Sequence, residues 1–274
     1  MALLECKVFA ESLGMATTVT VILPQQTVRQ IGLAGVATDT RSENFRGHPT
    51  LYLLHGLSDD HSIWLRRTSI ERYVAPLGIA VVMPEVHRSF YTDMAHGQRY
   101  FMYVSEELPR MMRSFFRLSP RREDTYVAGL SMGGYGAFKM ALTNPDEYAG
   151  AASLSGAIDI NWCSRERLDL LPDYSLVFGD LAKLPGSKND LFHLASTLRE
   201  RCDKKGVDLP RLFFSCGDQD HLLSNSHAMK AHLESLDVPF TYEQHAGYNH
   251  AWDYWDFMMP RVLEWMGAGK GPLA

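Results

Sequence analysis

Two short runs, "PTLYLLHG" at 49–56 and "GIAVVMP" at 78–84, carry almost no polar residue between their turn residues. A strand with one face in water alternates apolar and polar side chains. A run without alternation has both faces covered, which is the mark of the interior of a parallel sheet. Further strands are expected at "DTYVAGL" (124–130), "YAGAASLSG" (148–156), "PRLFFSCG" (210–217) and "FTYEQHAG" (240–247). Two more come first, at 3–10 and 15–23, the second rich in β-branched residues and stopped by Pro24. Helices are predicted over 63–76, over 105–118 with Leu108, Met111, Met112, Phe115 and Phe116 on one face, over 133–144 up to Asn144-Pro145, and at the C-terminal end. Two leading strands followed by alternating strand and helix describe an α/β fold, a mostly parallel central sheet with helices on both faces.

One domain spanning 1–274 accounts for this pattern, because no linker, repeat or low-complexity tract divides it. Only 157–195 breaks the alternation, and it is expected to be a small cap-like insertion over the sheet. The net charge of −5 and the lack of a Lys/Arg cluster give no sign of a nucleic-acid partner. No apolar run approaches the ~20 residues that span a bilayer. The start "MALLECKVFAESLG" has no basic stretch ahead of an apolar one, so the default location is cytoplasmic. Cys6, Cys163, Cys202 and Cys216 lack CxxC spacing and read as reduced thiols.

The strand at 124–130 runs into "AGLSMGGYG", whose Gly129-Leu130-Ser131-Met132-Gly133 is a GxSxG pentapeptide. Its string alone is weak evidence. Between a strand and a helix, however, it is the setting of a nucleophile elbow, in which the chain turns so tightly that the serine is lifted out of the fold. The competing reading is a structural glycine turn that uses positive φ. A serine nucleophile needs an imidazole to take its proton and a carboxylate to orient the imidazole, in the chain order serine, acid, histidine. "CGDQDHLL" ends a strand with Asp218 and Asp220, and "QHAGYNHAW" offers His245 and His250. Asp220 is preferred because Asp218 stands in the turn after Gly217 and can cap it. His250 is preferred because His245 still belongs to the strand.

The tetrahedral oxyanion requires two placed donors. One is expected from the Met132 N–H, next to the nucleophile. The other is expected from the Leu57 N–H, after the strand ending in His55-Gly56, with His55 itself structural. The cluster His55, Asp59, Asp60, His61 in "HGLSDDH" raises metal catalysis as a rival. A binuclear HxHxDH pattern would need histidine where Leu57 stands, so solvated turn carboxylates are the simpler reading. A binding protein on the same fold is another rival.

With "LYLLHGLSDDHSIW", "AGLSMGGYGAFKMAL", "CGDQDHLL" and "GYNHAWDYW" in place, the chain resembles the bacterial tributyrin esterases, α/β-hydrolases related to esterase D and the S-formylglutathione hydrolases. The likeness extends to "ESLGMATTVTVILPQ", "FYTD" at 90–93 and "GSKNDLFHLA" at 186–195. It implies a serine carboxylesterase with Ser131, Asp220 and His250 as triad, a small-molecule ester as its partner, and no metal or organic cofactor. It is compatible with a homo-oligomer. By the same resemblance Trp64 and Tyr91 line the acyl or alcohol pocket, with aromatic core packing as the alternative. Short acyl groups are expected to be preferred over S-formylglutathione. The formylglutathione enzymes carry an "SGLTC"-like loop where this chain has "HGLSDD", and Trp162, Leu170, Leu171 and Phe178 of the insertion are bulky enough to roof the pocket.

Overall fold

The computed structural model describes residues 1–25, 27 and 45–267, and the Leu171 side chain lies outside that description. Its strands are β1 (Ala2–Ala10), β2 (Met15–Leu23), β3 (Thr50–Leu54), β4 (Ala80–Pro84), β5 (Thr125–Leu130), β6 (Gly150–Leu154), β7 (Arg211–Gly217) and β8 (Phe240–His245). They form one sheet in the order β1-β2-β4-β3-β5-β6-β7-β8. β1 pairs antiparallel with β2, and β2 with β4; the remaining pairings are parallel. Every residue of β3, β4, β5 and β6 is buried, as runs without alternation require. This is the α/β-hydrolase arrangement expected from the sequence.

The helices divide between the two faces. α1 (Ile63–Arg67), α2 (Ile70–Val74) and α11 (Trp252–Trp265) pack Ile63, Val74, Met258 and Val262 on one side. α4 (Leu108–Phe115), α5 (Met132–Thr143), α8 (Leu191–Ser196), α9 (Leu198–Lys205) and α10 (Leu223–Ser235) cover the other, with Met112, Phe138, Leu198 and Leu233 in its core. Burying a side chain of this size contributes about 1.5–3 kcal/mol. Among the described residues no helix is long and apolar enough to cross a membrane.

One expected helix is interrupted and another changes its hydrogen-bond ladder, each at a nameable side chain. The segment 63–76 breaks at Thr68, which is extended at φ −133°, ψ 172°. Its hydroxyl donates to the Trp64 carbonyl at 2.6 Å and accepts the Ile70 N–H at 3.2 Å, a local alternative to the helical ladder. Over 105–118, a helical turn α3 (Tyr100–Met102) passes through a π-turn (Tyr103–Glu107) into α4. Pro109 has no N–H for the ladder at that junction. Of the predicted apolar face, Leu108 and Met112 are buried, whereas Phe115 is 57% exposed.

The insertion is more regular than its sequence suggests, holding α6 (Ile160–Glu166) and α7 (Leu171–Phe178). It is tied to the elbow helix α5 by a buried lysine. Lys139 is 2% exposed, and its Nζ donates to Thr92 Oγ1 at 2.6 Å and to Asn189 Oδ1 at 2.7 Å. Tyr135, one turn earlier, donates to the Asn189 carbonyl at 2.8 Å. Burial pushes the Lys139 ammonium well below the usual lysine range, with Asp93 the charge that opposes this.

β3 connects to β4 on one side and β5 lies on the other, so the connections part between β3 and β5. In open α/β sheets the crevice at the carboxyl ends of such strands is where ligands bind. The two loops that leave those ends begin at His55 and Ser131.

Candidate active site

Ser131 joins β5 to α5 at φ 53°, ψ −117°. The glycines around it are not the residues with positive φ; they are needed for contact distance. A Cβ on Gly129 would lie 2.4 Å from the Gly133 carbonyl oxygen, and one on Gly133 would lie 2.4 Å from the Leu54 oxygen. The turn is held by the Ser131 N–H donating to the Leu154 carbonyl at 2.9 Å and by the Ala157 N–H donating to Ser131 O at 3.1 Å.

Beside this hydroxyl, His250 Nε2 lies 3.0 Å from Ser131 Oγ. The opposite ring nitrogen, Nδ1, lies 2.9 Å from Asp220 Oδ2 and 3.1 Å from Oδ1. A carboxylate accepts only, so Nδ1 carries the proton and Nε2 is free to receive one from Ser131. The Asp220 side chain is fully buried. Burial raises its carboxyl, but hydrogen bonds from His250, the Leu222 N–H and the Ser155 hydroxyl more than offset this and hold it below the usual range. Ser155 also accepts the Trp255 indole N–H at 3.1 Å, and the Trp255 ring meets His250 edge to face at 5.0 Å. The other candidates stand elsewhere. Asp218 accepts the Gly247 N–H at 2.8 Å across the turn, and His245 Nε2 is 2.9 Å from Glu243 Oε2 at the end of β8.

These residues open onto a cleft of about 500 Å³. Leu57 and Met132 line it, as do Ser58 and Asp59. Met132 is the first residue of α5, so its N–H is one of the donors that the helix itself cannot satisfy. Burial raises the Asp59 carboxyl, opposed by its bond with Gly56. In the same loop His55 Nδ1–H donates to the Gly56 carbonyl at 2.7 Å, while Nε2 accepts the Val86 N–H at 3.1 Å. His61 bonds Thr20 at 2.7 Å and Asp60 caps Ser62 at 2.8 Å, so the acidic and imidazole groups of "HGLSDDH" point into separate local bonds.

Trp64 and Tyr91 do not line the cleft, which corrects that expectation. Trp64 is 1% exposed and Tyr91 0%. Trp64 Nε1 donates to the Leu54 carbonyl at 3.0 Å, and the Tyr91 hydroxyl donates to the His55 carbonyl at 3.0 Å. Each buries its ring and uses its polar end on the backbone that leads to Gly56 and Leu57. The aromatic wall is instead Trp252 and Trp255, with ring centroids 5.0 Å apart, and Trp252 stacks edge-on against the buried Trp64 at 5.2 Å. Their spacing of three at the start of α11, directly after His250, was the signal for a shared face.

Of the bulky insertion residues, Leu170 lines the cleft. Phe178 packs below it on Phe90 and Tyr135, and Trp162 sits against the core. Cys163, Arg167 and Tyr174 complete the roof, and His221 lies at the rim. Sequence reasoning passed over these four: nothing in a motif places the insertion's Cys163, Arg167 and Tyr174 at a strand end, and His221 follows Asp220 without a pattern of its own. Burial pushes the Cys163 thiol up to about 12. Arg167 Nη1 donates to His221 Nε2 at 3.0 Å while its Nη2 and Nε hold Asp169.

Proteins of known activity are similar to this chain over nearly the full length of both. An acetyl esterase of Caldicellulosiruptor saccharolyticus is 31% identical over 273 residues, covering 97% of this chain and 98% of the relative. The fluorophosphonate-binding serine hydrolase F of Staphylococcus aureus superposes with a TM-score of 0.82 at 32% identity, covering 97% and 98% of the two chains. An S-formylglutathione hydrolase of Staphylococcus aureus does so with a TM-score of 0.80 at 31% identity and the same coverage. The family described as "Putative esterase" matches residues 10–266. The chain therefore belongs to that family: it is an α/β-hydrolase of the esterase D and S-formylglutathione hydrolase type, and a carboxylic ester hydrolase.

Proposed function

We propose that the chain hydrolyses short-acyl oxygen esters through an acyl-enzyme on Ser131, with His250 as general base and Asp220 as its orienting carboxylate. The observation that carries this is the continuous contact from Ser131 Oγ to His250 Nε2 at 3.0 Å and from His250 Nδ1 to Asp220 at 2.9 Å. Ser131 Oγ attacks the ester carbonyl as its proton passes to Nε2. The oxyanion so formed is met by the N–H groups of Leu57 and Met132, fixed dipoles that need not reorganise as charge develops. His250 then returns the proton to the departing alkoxide, and the alcohol leaves. Water attacks the acyl-enzyme by the same route in reverse roles.

The preference for short acyl groups is supported by the roof of Leu170 and Tyr174 and by the wall of Trp252 and Trp255. A methylene that fails to find room forfeits about 1–3 kcal/mol of transition-state binding, so the profile with chain length falls steeply. A series of nitrophenyl esters tests this. We expect kcat/KM for acetyl and butyryl well above that for decanoyl. Decanoyl equal to or above them would overturn the short-acyl reading, and S-formylglutathione turning over fastest would move the substrate to the thioester class.

A further inference from the structure

Asp220 and His250 have a neighbour for which ester hydrolysis has no use. His221 follows the carboxylate directly, and its ring centroid lies 4.6 Å from that of His250. Its Nδ1 stands 3.7 Å from Asp220 Oδ1. One donor atom from each of Asp220, His221 and His250 falls within 4.8 Å of the others. We propose that these three residues form a binding site for a divalent ion of the zinc type, and that occupancy switches hydrolysis off. The inhibitory part rests on Asp220 and His250 being members of the triad.

The donor set and its spacing both suit such an ion. Zinc binds imidazole nitrogen and carboxylate oxygen at about 2.0–2.1 Å, which in a tetrahedron puts neighbouring donors about 3.3 Å apart. Here Asp220 Oδ1 has His250 Nδ1 at 3.1 Å and His221 Nδ1 at 3.7 Å, on either side of that value. Two imidazoles and one carboxylate favour zinc over magnesium or calcium, which prefer oxygen throughout. The Asp220 side chain is fully buried and that of His221 is 47% exposed, so an ion reaches the carboxylate from the cleft rim past His221. Arg167 Nη1 donates to His221 Nε2 at 3.0 Å, which takes an unprotonated ring nitrogen, so the imidazole is neutral and able to coordinate. Cys163, the nearest thiol on the cleft wall, is pushed up to about 12 and stays protonated, which makes it a poor competitor.

Loading the site rearranges protons without a net change on either ring. On His250 the proton leaves Nδ1, whose lone pair goes to the metal, and appears on Nε2 through solvent. Nε2–H faces Ser131 and can no longer accept its proton. The base is thus held in the wrong tautomer for catalysis. On His221 the same shift puts a proton on Nε2, which ends the bond donated by Arg167; the guanidinium keeps Asp169 as its partner. The ion consequently replaces the His250 Nδ1–H bond to Asp220 and works against the Arg167 bond at the rim.

The test titrates the full chain with zinc chloride and with magnesium chloride while ester hydrolysis is followed, and measures binding of each by calorimetry. Zinc is expected to inhibit, a chelator to restore activity, and magnesium to do neither. In His221→Ala and His221→Gln, each referred to its own uninhibited rate, half-inhibition should need at least about tenfold more zinc. Variants as sensitive as the parent, or a parent that binds no zinc by calorimetry, would overturn the site. Calorimetry on Ser131→Ala, with and without His221→Ala, reads the ion site whether or not the chain proves to act on esters. Zinc bound by the first and lost by the second supports it, and equal binding by both refutes it.

Discussion

Ser131 occupies a backbone conformation that costs a residue with a Cβ about 1–3 kcal/mol, and its neighbours hold it there. The N–H goes to Leu154, and the carbonyl accepts from Tyr135 and Ala157 at 3.1 Å each. Removing only the hydroxyl should leave this frame intact. Ser131→Ala is expected to fold and to lose at least ~10³ in kcat, and a fluorophosphonate probe should label the parent at Ser131 alone. The two aspartates of "CGDQD" separate by the same logic. Asp220→Asn costs the carboxylate that fixes the His250 tautomer, whereas Asp218→Asn alters a cap on Gly247. A larger loss of kcat from Asp218→Asn, at unchanged Tm, would reverse this assignment.

At the scale of elements, the site depends on keeping β3 and β5 in register while their loops converge. The backbone at Leu54 and His55 is gripped from two sides: Trp64 in α1 donates to one carbonyl and Tyr91, in the loop after β4, to the next. The Tyr91 ring also packs against α5, since a Cβ on Gly136 would lie 2.4 Å from it. Tyr91→Phe keeps the ring and leaves the His55 carbonyl without that donor. It is expected to lower stability by about 1–2 kcal/mol and to reduce kcat with KM little changed, because the Leu57 N–H is less well placed when the oxyanion forms. A Phe variant with parental kcat and Tm would show that the bond does not support the loop.

For the molecule as a whole, ionised carboxylates that accept several hydrogen bonds make stability depend on pH. Glu85 accepts the N–H groups of His61 at 3.1 Å and His87 at 2.8 Å, and Glu107 accepts those of Glu11 at 2.7 Å and Ser12 at 2.8 Å. At both, burial raises the carboxyl, and the hydrogen bonds from their partners more than offset it, so each titrates below its ordinary value. Glu85 also lies 3.5 Å from His55 Nε2, but that nitrogen accepts the Val86 N–H and has no proton to share, so the backbone donors carry the effect. Asp220 is lowered as well. A carboxyl lowered on folding adds stability that is complete above its unfolded pKa, about 4, and is lost as pH falls through the folded one. Tm should therefore hold near neutrality and fall steadily below about pH 4.5, with a shallower fall in Glu85→Gln. A Tm unchanged between pH 6 and 3 would contradict this.

Wholly apolar runs determined the parallel sheet, because alternation is a property of neighbouring residues and its absence is visible in one dimension. The elbow was legible for a similar reason: Gly129 and Gly133 flank Ser131 in the chain, and the loop ends that carry Asp220 and His250 follow strands that could be read directly. Trp64 and Tyr91 show where this reasoning stops. Their aromatic character and place in the sequence were the same whether they faced a substrate or the Leu54 and His55 carbonyls, and only packing decided for the carbonyls. Lys139 is the one charge in an otherwise uncharged helix, a visible anomaly whose partners, Thr92 and Asn189, come from distant segments. Thr68 broke a helix that periodicity alone carried through, and the π-turn ahead of Pro109 changed the ladder of another without ending it. The roof of the cleft and the nearness of His221 to His250 were decided by tertiary structure, since contact between residues far apart in sequence depends on how whole elements pack and not on local pattern.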